Sequence, residues 1–535
     1  ICGCENRYLY ANDYFATEMI FFQNETTLGL VLASLPAIAS VYLFYKTPYR
    51  KEAFYLLLFS ALLLRLLMAV IDPYLQNWDE RFHALVAKSM MEDPFKPMLI
   101  KNPLFPYHYG DWWNCHIWVH KQPLFLWQMA LSMKIFGVST FAIRLPSVIM
   151  GTIAVWMIRE IAQRWTKDEE SSFLAALLVT TSWYGLEMTS GWMSLDHNDF
   201  TFFFYITAAI WALTRYFESM KLWPWGIITG VFIGCAVLVK WLTAFLVFGG
   251  WGLYVLISGE YRSSLKYYLH VFIAFLVSLL VFGPWQLYIM KVFPLESAAS
   301  YAYNKMHIVK DLGHEGPWYF HFKMLPWVYT WPLVVMLVIG LIALLLSKKN
   351  DQKYTVIFLA MITVLFGFFS YVATKMPAFV FPVSGLILIM MAYGITTVTR
   401  KSEALVTKNT NPSKWMPVVA IIAALICLQP NEMIKHRDNT HEFRNLKLQH
   451  TKVYKELSDD IIRDYVVINC PPYENLELMF FRGGNAFLSF PEERVLDSLQ
   501  QAGHRFAAFK NTPTHELLDY ILKDPEVLLI EEELR

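Results

Sequence analysis

The stretch AFYLLLFSALLLRLLMAVI at residues 53–71, followed by DPYLQNWDERFH at 72–83, decides the fold. The first part carries one charge, Arg65, and is long enough to cross roughly 30 Å of hydrocarbon as a helix. The second part brings two adjacent carboxylates, Asp79 and Glu80, to the edge of that span. Acidic groups there are costly unless something uses them.

Comparable apolar stretches recur along the chain, at 27–45, 53–71, 141–161, 171–190, 200–217, 223–240, 241–258, 267–289, 326–346, 354–373, 377–396 and 415–430. They predict a mainly α, polytopic transmembrane bundle of about 12–13 spans. Composition agrees: of 535 residues 56% are hydrophobic and only 17% charged, and the mean hydropathy is +0.37. An ordinary soluble enzyme is less apolar and carries more charge. The net charge of +1 gives no concentrated basic surface, which excludes nucleic acid as a partner. The six cysteines show no zinc-type spacing. Cys235 and Cys427 read as buried apolar fillers, Cys2-Gly-Cys4 is close enough to note, and a Cys115 disulfide has no support. The first residue is Ile1, so no cleavable signal peptide can be argued.

Lys and Arg gather in alternate connections: Lys46/Arg50/Lys51, Arg159/Arg164/Lys167, Arg215/Lys221, Arg262/Lys266, Lys348/Lys349/Lys353 and Arg400/Lys401/Lys408/Lys414. The positive-inside rule makes these cytoplasmic and puts the other loops, and by parity the N-terminus, outside. The outer set contains 72–140, the turns near 190–200, 240 and 374–377, the loop 290–326, and everything after Pro430. Within 72–140, Asp79–Met91 and Leu124–Phe136 have helical patterning, and Phe105–Val119 is dense in Trp, Tyr and His. These read as interfacial helices on the outer surface. Two domains are expected: a transmembrane domain over 1–430 and a small soluble α/β domain over 431–535, with strands at 466–468 and 527–530 and helices at 455–465 and 491–502.

Asp79, Glu80, Lys121, Arg144, Asp196, His197, Asp199, Lys240, His314 and Lys375 all fall in or beside external connections. Random decoration would divide between the two faces, and outer lysines run against the topological bias. Carboxylates and cations around one outer cavity suit a lipid-linked phosphate and chemistry beside it. Each residue also has a plainer reading. Asp79 and Glu80 could complement a helix dipole. Lys121 and Lys375 could snorkel to the headgroups, Arg144 could bind lipid phosphate, Lys240 could separate two spans, and Asp196 and Asp199 could be ordinary loop carboxylates. A transporter also buries ionisable groups, but no internal repeat is visible. A scaffold would make the acidic pair dispensable.

At these residues the chain resembles the GT-C glycosyltransferases, in the branch containing the aminoarabinose lipid A transferase and the protein O-mannosyltransferases. The matching stretches are Trp78-Asp79-Glu80-Arg81, Lys121-Gln122-Pro123-Leu124, Phe141-Ala142-Ile143-Arg144-Leu145-Pro146, Leu195-Asp196, Val239-Lys240-Trp241, Gly283-Pro284-Trp285 and Ala373-Thr374-Lys375-Met376-Pro377. They cover about 50–400. Gln follows Lys121 and Trp follows Lys240, where the family has Pro and Gly. The resemblance implies an inverting transfer from a polyprenyl-phosphate (undecaprenyl-phosphate-like) sugar to a glycolipid or protein acceptor, protein Ser/Thr being the alternative acceptor. It implies a bacterial inner (cytoplasmic) membrane location with the active site facing the periplasm. In that reading Asp79 and Glu80 are the catalytic pair, Asp79 as the base and Glu80 positioning the donor or acceptor, Lys121, Arg144, Lys240 and Lys375 bind the donor phosphate, and Asp196, His197, Asp199 and His314 bind substrate. Membrane lipids are the remaining partner. No cofactor is fixed by the pattern; six histidines (His83, His116, His120, His197, His307 and His314) leave a divalent metal open, although no metal-ligand spacing repeats.

Overall fold

The computed structural model describes residues 25–192, 197–310, 313–347, 351–407, 414–438, 441–512 and 517–534. Cys2, Cys4, Asp196, Lys348, Lys349 and Lys408 lie outside the described residues. The chain is an integral membrane protein built as a helical bundle, with nine described helices long and apolar enough to cross a membrane. Nine of the twelve apolar stretches coincide with them. The stretch 326–346 falls in a broken pair, Phe320–Tyr329 and Trp331–Leu346, bent by 112°. Thr330, at φ 66°, makes the corner. The stretch 241–258 is a shorter apolar helix, Leu242–Ile257.

The stretch 171–190 differs most from the sequence reading. It is two short helices, Glu169–Thr180 and Trp183–Ser190, parted at Thr181-Ser182. Both are almost wholly buried inside the bundle. Their uniform apolarity reflects protein on every side rather than a full crossing of lipid.

Local signals set the bundle's turns. Ser139 caps the helix Thr140–Thr166 by accepting from the Ala142 N–H at 3.2 Å. Asp168 caps Glu169–Thr180 through the Ser171 N–H at 3.0 Å. The apolar 18-residue stretches within Pro377–Val406 and His197–Ser219 are 89% and 83% buried, whereas that within Leu265–Val292 is only 17% buried, which puts the first two at the centre and the third at the rim. Helices Trp331–Leu346 and Ser384–Thr407 cross at Gly340 and Gly394. A Cβ on either would come within 2.1 Å of the opposite backbone. Small residues at such crossings let membrane helices close up.

Outside the bundle, Asp79–Met90 and Leu124–Phe136 are helical, the second ending at Gly137 (φ 82°). Phe105–Val119 is irregular, tied to 97–100 by the antiparallel bridge Met98–Ile117 and by backbone hydrogen bonds from Trp118 to Pro97, Leu99 to His116 and Ile100 to Cys115. Asp79–Met90 does not lie open on a surface: Glu80 to Ala87 are all buried. Its outer side is covered by a C-terminal unit with four parallel strands, β1 (Val466–Ile468), β2 (Asn485–Ala486), β3 (Phe506–Phe509) and β4 (Val527–Ile530), in the order β2-β1-β3-β4. Parallel pairing needs crossover connections, and helices Glu474–Arg482, Glu493–Gln501 and Asp519–Lys523 supply them. The helix expected over 455–465 is two, Glu442–Glu456 and Asp459–Asp464, because Leu457 turns extended and Ser458 caps a new start. The cysteines described are all free; Cys427 is buried as expected, whereas Cys235 is only half-buried.

Candidate active site

The helix Asp79–Met90 begins at Trp78, held at φ 65°. Its first three residues point in three directions, as the 3.6-residue turn requires. Asp79 faces a partly open space and Glu80 faces the bundle. Arg81 faces the C-terminal unit.

Asp79 Oδ2 lies 4.0 Å from Lys121 Nζ, and the two side chains keep 29% and 27% of their exposure. Burial works against the Asp79 charge, but Lys121, with His83, His120 and Lys240 around it, more than offsets this and holds the carboxyl below the usual carboxylate range. Lys240 pairs with Asp199 and lies over the Phe379 ring, 4.7 Å from its centroid. His120 stacks on Trp112 and meets Tyr303 edge-on. Burial and Lys121 keep its imidazole well below its ordinary value. This end of the site therefore offers one ionised carboxylate, two lysines that retain solvent access and an aromatic wall.

Glu80 is in a different position. Arg144 donates to it twice, Nε to Oε1 at 2.8 Å and Nη2 to Oε2 at 2.9 Å. The Gln76 N–H donates at 2.6 Å, and His197 Nε2 lies 3.1 Å from Oε1. Burial opposes the charge here too, yet Arg144 and His197 hold the carboxyl at about 2. Gly191, at φ 74°, passes so close that a Cβ would sit 2.5 Å from Oε1. Only glycine meets both the backbone and the space requirement.

These contacts show what each expected site residue already touches. Glu80 is enclosed, with both carboxylate oxygens engaged. Arg144 spends its three remaining donors on the carbonyls of Asp72, Tyr74 and Ala69, at 2.6, 2.9 and 3.4 Å, so all five N–H groups are engaged. His197 bridges Glu80 to Ser147 Oγ (3.1 Å) and is buried. Lys375 gives its ammonium protons to the carbonyls of Phe369, Ser370 and Val372 at the end of helix Gln352–Tyr371. It is a helix cap. His314 is exposed, its carbonyl accepting the Lys375 N–H at 2.9 Å. Asp199 is committed to Lys240. Among the described residues no three His, Cys, Asp or Glu side chains converge on a metal position.

The structure also shows buried charges that sequence reasoning passed over. Arg437 donates to both Glu187 oxygens at 2.7 Å and to Asp72 Oδ2 at 3.0 Å. Glu187 was detectable as an acid inside an apolar stretch. Its partner, 250 residues away, carries no local signal.

Comparison with known proteins agrees with this architecture. A family model described as dolichyl-phosphate-mannose-protein mannosyltransferase matches residues 120–288. The undecaprenyl phosphate-alpha-4-amino-4-deoxy-L-arabinose arabinosyl transferase of Pseudomonas paraeruginosa (strain PA7) is 27% identical over 344 residues, which is 60% of this chain and 58% of that protein. That of Pseudomonas aeruginosa (strain UCBPP-PA14) is 27% identical over 342 residues, with the same coverage. The match thus spans 58% of the length of these relatives. Among solved structures, ArnT from Cupriavidus metallidurans bound to undecaprenyl phosphate superposes with a TM-score of 0.57 at 13% identity, over 84% of this chain and 88% of that one. The archaeal oligosaccharyltransferase AglB from Archaeoglobus fulgidus, in complex with an inhibitory peptide and a dolichol-phosphate, gives 0.52 at 13% identity, over 83% and 65%. The chain therefore has the GT-C fold and is similar in sequence to the aminoarabinose-transferase and mannosyltransferase branch of polyprenyl-phosphate-sugar glycosyltransferases.

Proposed function

We propose that the protein is a glycosyltransferase that moves a sugar from a polyprenyl phosphate to an acceptor hydroxyl or phosphate at the outer face of a bacterial inner membrane. The observation that carries this reading is the Asp79–Lys121 pair, partly open and beside Lys240, on a GT-C fold. In the transfer, an acceptor oxygen attacks the anomeric carbon from the side opposite the phosphate. The new carbon–oxygen bond forms as the bond to the phosphate oxygen breaks, and the polyprenyl phosphate leaves with the electron pair. Where the acceptor is a hydroxyl, its proton goes to the Asp79 carboxylate. Such a base contributes typically ~10²–10⁴-fold.

The leaving phosphate is already a weak base, so it needs charge rather than a proton. Lys121 and Lys240 are the cations with access for that task. A glycoside hydrolase would flank the bond with a second acid; here Glu80, deprotonated and enclosed, takes no part in proton transfer. The GT-C fold weighs against a transporter. The test is turnover of purified protein with undecaprenyl-phosphate sugars, with mass spectrometry of envelope lipids and exported proteins naming the acceptor. Absence of any sugar transfer from lipid-linked donors, in protein shown to be folded, overturns the reading.

A further inference from the structure

The C-terminal unit meets the bundle through a closed cluster of charges. Arg81 Nε is 2.5 Å from Glu477 and its guanidinium 3.7 Å from Glu474. Lys447 pairs with the same two carboxylates. His450 Nδ1 and the Tyr454 hydroxyl reach Glu474 Oε2 at 2.7 and 2.6 Å. Arg81 also donates to the Pro472 carbonyl at 3.2 Å, and at the far end of its helix Lys88 donates to the carbonyls of Met479 and Phe480 at 2.8 and 2.7 Å. Two cations and two anions balance, with every side chain buried or nearly so. Such a set adds little net stability over apolar packing, but it fixes one arrangement.

The edge of the sheet used for this contact is informative. Open parallel sheets bind ligands outside the carboxyl ends of their strands, where the strand order reverses. Here that point lies between β1 and β3. It is closed by Asn469, whose side chain donates to the Phe509 carbonyl at 2.9 Å and accepts from the Phe509 N–H at 3.0 Å. The residues that follow, Pro472 and Tyr473, receive Arg81 and the ring of Trp78, 5.7 Å from that of Tyr473. Trp78 and Tyr473 both hold positive φ, 65° and 62°. Such backbone persists only where surroundings enforce it, and it clusters at functional sites. Trp78 is the residue immediately before Asp79.

We propose that the C-terminal unit is a positioning element for transfer, acting through Arg81 and Tyr473 to fix the first turn of the helix that presents Asp79. The proposal rests on the reading of Asp79 as the base. Glu80 holds this turn from the bundle side and Arg81 from the other, so the Asp79 carboxylate is aimed by contacts on both flanks. The unit is thereby a jig for the base rather than a sugar-binding module.

Two variants of the full-length protein separate aiming from mere folding. Tyr473→Gly removes the ring that meets those of Trp78 and Phe82 while suiting the positive φ. Arg81→Met with Glu477→Gln removes one cation and one anion together and leaves Lys447 matched to Glu474. With undecaprenyl-phosphate sugar as donor, both are expected to lower kcat per folded molecule at least tenfold, with the donor KM within twofold of the parent. Tyr473→Gly should keep its melting temperature, and amide exchange over residues 79–84 should speed in both. Parental kcat in either folded variant, or unchanged exchange over 79–84, overturns the proposal. Asp79→Asn in the same assay marks the other failure: parental turnover there sinks the base assignment and with it the purpose of the jig. Inactive Asp79→Asn beside fully active Tyr473→Gly sinks the jig alone.

Discussion

Arg144 and Glu80 form a two-point ion pair, 2.8 and 2.9 Å long, in which neither side chain is more than 1% exposed. A pair so enclosed cannot also serve a substrate. Its effect is to pin the loop after the span Arg50–Val70 and the helix bearing Asp79 to the helix Thr140–Thr166. Removing one partner leaves a buried charge uncompensated, which costs about 3–5 kcal/mol. Arg144→Met should therefore sharply lower the yield and thermal stability of folded protein. Adding Glu80→Gln should restore much of that stability. A donor-phosphate role would instead show as a raised donor KM in a protein of normal stability.

Asp79 titrates in the opposite setting, partly open and surrounded by cations. Its carboxyl is held below the usual range, with Lys121 as the chief favourable influence. A base so depressed stays ionised as pH falls, and activity is lost only once pH drops through the lowered value. Lys121→Met removes that influence, so the acid limb of the kcat/KM profile should move upward in pH. An acid limb that does not move would separate Lys121 from Asp79. Asp79→Asn should keep binding of undecaprenyl phosphate and lose turnover by roughly 10²–10⁴-fold.

Two lysines that look alike in sequence differ in what they touch. Lys240, against Asp199 and near Asp79, is positioned to steady the departing phosphate. Removing such a group in a water-poor site costs about 2.7–4 kcal/mol of barrier, or 10²–10³ in kcat. Lys375 is occupied by three carbonyls. Lys240→Met should fall in rate while remaining folded, and Lys375→Met should lose thermal stability with its residual kcat little changed. Equal rate losses in two equally stable variants would return Lys375 to the donor site.

The pattern of what could be read is physical. Span positions followed from length and apolarity, and the helices Asp79–Met90 and Leu124–Phe136 from their periodicity. Asp79 was legible because an acid at a membrane edge is expensive. The different surroundings of the two acids were not, since these depend on a 100° turn about a helix and on what waits there: Arg144 for Glu80, Lys121 for Asp79. The contacts of Arg144 and Lys375 were not legible, for one shared reason. A cation's sequence position does not reveal whether backbone carbonyls have already claimed it. The brace of Arg81, Lys447, Glu474 and Glu477 was invisible because Arg81 lies more than 360 residues before the other three and each looks like solvated surface singly.

Sidedness tests the whole arrangement. Lys88 binds carbonyls of Met479 and Phe480, and Phe105 packs on Phe487 at 4.4 Å, so the segment 72–140 and the C-terminal unit must share one face. The alternation of Lys and Arg predicts that this face is the outer one. In a background without native thiols, single cysteines at Asn102 and Ser498 should react in intact cells with a maleimide that cannot cross the inner membrane. Cysteines at Lys221 and Ser263 should react only after lysis. All four positions are exposed or half-exposed, so protection reports the membrane rather than burial. Labelling of 102 without 498 would break the packing of the unit against the first outer loop. Labelling of 221 and 263 in intact cells, with 102 and 498 protected, would invert the protein. Asp79 would then open toward the cytoplasm, and a donor consumed on the outer face could not reach it.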